Sequence, residues 1–191
     1  MSDRRAVTDD DGSVGPGAVP EMLAQAVLAA AVLCAGEIVC APLYFQLARM
    51  VVALVPWALL ACLLSSVFVF VPGFALLWCA ESLAMKAPHR AVPFVYAVVG
   101  MVGFGVWSRL VVVSVIDVVL SPFGYAALGT SDVLAVTVNG GALGFMAFFL
   151  ASYLGSRFAA RRRGIILAGV VTLLLTLAGA AVAFLMFSRL Y

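Results

Sequence analysis

The chain is divided into apolar stretches long enough to cross a lipid bilayer, and this pattern constrains it more than any other feature. About twenty apolar residues in a helix cover the roughly 30 Å of a hydrocarbon core. Five stretches reach that length, at about 22–45, 51–79, 93–120, 133–156 and 164–188. Within hydrocarbon the backbone must satisfy its own hydrogen bonds, and segments of this length do so as helices. The expected fold class is therefore all-α, a polytopic membrane bundle of about five transmembrane helices. Composition agrees: 65% of the 191 residues are hydrophobic and 10% charged, where soluble domains carry about a quarter charged residues. Those proportions exclude a soluble enzyme, a nucleic-acid binder, a disulfide scaffold and a disordered protein.

The domain reading is a polar tail over 1–21 followed by the helical bundle over 22–191. The tail, MSDRRAVTDDDGSVGPGAVP and the residue after it, holds four aspartates, glycines and prolines with little to bury, and disorder is expected there. Arg4 and Arg5 ahead of an alanine-rich stretch resemble a signal peptide. The apolar run continues past Glu37 to Phe45, however, so it reads as the first span and not a cleaved leader. The stretch at 51–79 holds Pro56 and Pro72 and would reach about 43 Å as a straight helix. It must tilt, kink or conceal a sixth element.

Orientation follows from the basic residues. With the N-terminus inside, Arg4, Arg5, Lys86, Arg90, Arg157, Arg161, Arg162 and Arg163 are cytoplasmic, against Arg49 and Arg189 outside. The positive-inside rule therefore places the N-terminus in and the C-terminus out. The expected location is the cytoplasmic membrane of a bacterium. Arg161, Arg162 and Arg163 at the mouth of the fifth span form a patch suited to anionic lipid, each worth about 1 kcal/mol near such a surface.

No catalytic constellation and no cofactor or metal motif is read from the sequence. The single histidine, His89, stands between Pro88 and Arg90 in a loop. Cys34, Cys40, Cys62 and Cys79 form no Cys-x-x-Cys pair and read as small packing residues. In the fourth span Gly140, Gly144, Ala147, Ala151 and Gly155 recur on one helical face about 80° wide. Such a smooth stripe lets another backbone approach closely, either within one bundle or in a second copy or partner subunit.

Three charged residues remain inside spans. Glu37 lies near the middle of the first and Arg109 near the middle of the third, with Asp117 two turns further along the third. A charge at mid-bilayer costs at least about 2.5–3.5 kcal/mol, which marks each as a functional candidate. Similar depth makes Glu37 and Arg109 the expected partners, as a structural ion pair or part of a substrate site with Asp117. Two function classes follow. The first is an accessory, scaffold or assembly subunit of a membrane complex; the second is a small transporter or substrate-capture subunit using the Glu37/Arg109/Asp117 site.

Overall fold

A computed structural model describes residues 20–88, 90–159 and 161–190. The tail up to residue 19 and His89 lie outside the described residues, as do the side chains of Arg162 and Arg189. Five helices are long and apolar enough to cross a membrane. They are α1 (Glu21–Leu47), α2 (Leu54–Ala84), α3 (Val92–Phe123), α4 (Thr130–Ala159) and α5 (Arg162–Leu190). The protein is an all-α polytopic membrane protein.

The long second stretch is one span, and no sixth element is present among the described residues. Pro56 stands in the first turn of α2, where a missing N–H costs nothing. Pro72 falls in a π turn, Val69–Gly73, which takes up the donor that proline lacks. The helix then continues to Ala84, past the expected end near Cys79. A second π turn, Ser108–Val112, interrupts α3 at the same relative position. α3 closes in a short 3₁₀ turn, Ser121–Phe123, capped by left-handed Gly124.

Packing is built around α4. Its stripe lies against α3: the Gly144 Cα faces the Gly100 carbonyl, and Gly140 faces Ser108, so closely that a Cβ at either position would collide. A Cβ at Gly155 would stand 2.7 Å from Gln25 Cγ on α1. The small-residue face is thus used inside the chain, and Ala147 and Ala151 are fully buried in the same core. α1 fits between α4 and α2, and α5 packs mainly on α2. Phe68, Phe104 and Phe148 meet at the centre, with Phe68 and Phe104 edge to face at 4.9 Å. The outward faces carry Val39, Val71, Leu110, Leu174 and Phe184, exposed as lipid-facing side chains should be.

Candidate functional site

Glu37 is the one charged residue sealed inside the described bundle, at 1% exposure. α1 presents Glu37, Cys40 and Tyr44 at i, i+3 and i+7, hence on one face. The Tyr44 hydroxyl lies beside the Glu37 carboxyl. Asn139 of α4 donates from Nδ2 to the Tyr44 oxygen at 2.9 Å and accepts from the Cys40 thiol at 3.3 Å. A neutral amide, a phenol and a thiol therefore tie α1 to α4 at the depth of the carboxyl. Glu37 Oε2 itself has no hydrogen-bond partner.

Arg109 is not brought to it. It stands in the Ser108–Val112 π turn with its side chain exposed on the outside of the bundle. Gly105, one turn earlier, is buried against Gly141. At a regular 100° per residue Gly105, Arg109 and Asp117 would share one face, but a π turn lies within that interval and changes the helical phase. Asp117, half-buried, accepts the Leu128 backbone N–H at 2.8 Å and so anchors the α3–α4 loop. The three charges that the sequence suggested as one site occupy three separate environments. Arg161 and Arg163 are exposed at the junction of α4 and α5.

A second polar group joins α1, α2 and α5. The Cys34 and Cys62 thiols each reach the other's carbonyl at 3.7 Å, across a close helix contact. Thr176 Oγ1 lies 2.7 Å from both Ser66 Oγ and the Thr172 carbonyl. Its single hydrogen serves one of them, and the Ser66 hydroxyl can complete the other bond. These hydroxyls edge a hollow of about 440 Å³ between α1, α2 and α5. Larger grooves of about 820 Å³ and 680 Å³ flank α3 and are almost wholly apolar. Glu37, Arg109 and Asp117 line none of these three hollows.

Sequence reasoning passed over Tyr44 and Asn139. Both carried a signal: Tyr44 repeats the Glu37 face two turns on, and Asn139 is a neutral amide deep in an apolar span. No family model matches the chain, and no similarity was found to a curated protein or to a solved structure. The fold and the distribution of polar groups define the class, a five-span α-helical membrane protein with a buried polar layer.

Proposed function

We propose that the chain is a non-catalytic subunit of a membrane complex, docked through the exposed face around Arg109. The observation that carries this reading is an arginine exposed midway along a span, with no carboxylate paired to it among the described residues. Through its neighbour Ser108, Arg109 is level with Gly140. That is about 15 Å along α4 from its Thr130 end and about 25 Å along α3 from Val92. Helical side chains lean toward the N-terminus, here the more distant surface, so snorkelling to the nearer one runs against the Cα–Cβ direction. A guanidinium held there alone costs at least about 2.5–3.5 kcal/mol.

A second copy would not relieve that cost. Glu37 is enclosed and Asp117 is bonded to Leu128, so neither offers a free carboxylate to the lipid face. The partner fitted to this surface is another protein's transmembrane helix carrying an acid at that depth. The distribution of basic residues supports a cytoplasmic tail and Arg161–Arg163 patch, and in the bacterial inner membrane of this reading anionic lipid would meet the patch. The transporter reading gains less support, because its three charges do not converge and line none of the three hollows described above. A photo-crosslinking side chain at Leu110, which is 62% exposed, tests the docking. In native membranes it should capture one membrane protein, and Arg109→Leu should abolish the adduct. A 20.0 kDa monomer with no adduct, and equal stability of Arg109→Leu and wild type, would overturn it.

A further inference from the structure

Three hydroxyls meet far from either end of the bundle, where α2 and α5 face each other. Ser66 is about 18 Å along α2 from Leu54 and about 27 Å from Ala84, and Thr172 is about 15 Å along α5 from Arg162. Ser66 is 3% exposed and Thr172 4%. Thr176 bonds to the Ser66 hydroxyl and the Thr172 carbonyl, and Ser66 Oγ lies 3.7 Å from the Cys34 thiol. These bonds occupy the single hydrogens of Ser66 and Thr176. The Thr172 hydroxyl makes no hydrogen bond among the described residues. It is not sealed in as the Ser65 and Ser108 hydroxyls are, and Thr172 lines the hollow of about 440 Å³. That hollow opens sideways, since Phe70, Val71 and Leu173 on its walls are half-exposed or more on the outer face of the bundle. No charged side chain lines it.

We infer that this hollow binds one uncharged, lipid-dissolved molecule through a ring carbonyl, the chemistry of a quinone head, with the Thr172 hydroxyl as donor. A donor left idle at this depth is costly, because hydrocarbon offers it nothing. The bulk of the membrane supplies no acceptor there. Acyl chains have none, neighbouring spans use their backbone carbonyls internally, and lipid ester groups lie near the two surfaces. A neutral carbonyl compound that dissolves in hydrocarbon does reach it. The apolar walls suit the rest of such a molecule, and Phe70 at the mouth offers a face for a flat ring. A hollow of this volume falls in the range of small-molecule sites, which pair apolar walls with a few polar groups.

The site is independent of the docking at Arg109 on α3 and is tested on the full chain in phosphatidylcholine nanodiscs. A decyl-benzoquinone carrying a photoreactive azide on its ring should label the chain once, within 54–84 or 162–190. Excess unlabelled decyl-benzoquinone should suppress the adduct, and decylbenzene, which has the tail and ring but no carbonyl, should not. Thr172→Val keeps the shape and removes the donor, so the quinone concentration needed for suppression should rise about 3–10-fold. Gly169→Leu should abolish the adduct by filling the hollow. A Cβ there stands 3.8 Å from Val27 Cγ1, an ordinary contact, so the helices need not part. Should that variant fail to fold, Thr172→Val carries the test alone. Equal suppression by decylbenzene would show a groove for acyl chains only and overturn the site. Labelling spread over the outer faces, or suppression unchanged in Thr172→Val, would overturn it equally.

Discussion

At Asp117 a carboxylate inside a predicted span proves to be a loop anchor, accepting the Leu128 N–H at 2.8 Å. Removing the acceptor strands that amide in a half-buried position. Asp117→Ala should therefore cost about 1–3 kcal/mol in thermal stability measured in detergent. Asp117→Asn keeps an acceptor oxygen and should cost less than half of that. Equal losses for both would mean that the charge matters and the hydrogen bond does not. Glu37 and Arg109 give the opposite lesson, since similar depth suggested a pair and the structure sets one inside the bundle and the other outside. Residues without shared partners act additively, so the double variant Glu37→Gln with Arg109→Gln should lose the sum of the single losses, within about 0.5 kcal/mol. A coupling energy well above that, in a thermal-stability cycle, would show that the two charges do meet.

At the scale of elements, the α3–α4 seam concentrates the packing. Gly140→Leu and Gly144→Leu push a branched side chain into Ser108 and the Gly100 carbonyl, and each should cost at least about 1–3 kcal/mol. Leu143 lies off the stripe but is not a neutral control, because its Cδ2 would stand 2.6 Å from a Cβ on Gly36. Met146, exposed toward lipid, is the better one, and Met146→Leu should leave Tm unchanged. Equal Tm for all three variants would remove the close contact. The spans were legible in the sequence because bilayer thickness dictates a run length that apolar residues display directly. The glycine stripe was legible because it falls within regular α-helix, where 100° per residue holds. Arg109 was not, because a wheel drawn through the Ser108–Val112 π turn misassigns its face. Asn139 was passed over because a neutral amide registers weakly beside full charges, although it holds both Tyr44 and Cys40.

For the whole molecule, the basic residues imply a handedness across the bilayer that reporter fusions can read. Fusions at His89, Gly129 and Tyr191 should report inside, outside and outside; an inside signal at Tyr191 would reverse the assignment of α5. That helix is the least buried of the five and leans mainly on α2, while α1 to α4 enclose the aromatic centre and the Glu37 layer. The order along the chain then acquires a meaning in time. Every residue of the polar layer is made before α5, so a four-helix intermediate can close around Glu37 without α5 and receive its last helix afterwards. Split genes encoding 1–159 and 160–191, expressed together, should reassemble in the membrane through the Gly179–Leu59 contact and co-purify. If the shorter piece never associates, closure of the bundle waits for the complete chain.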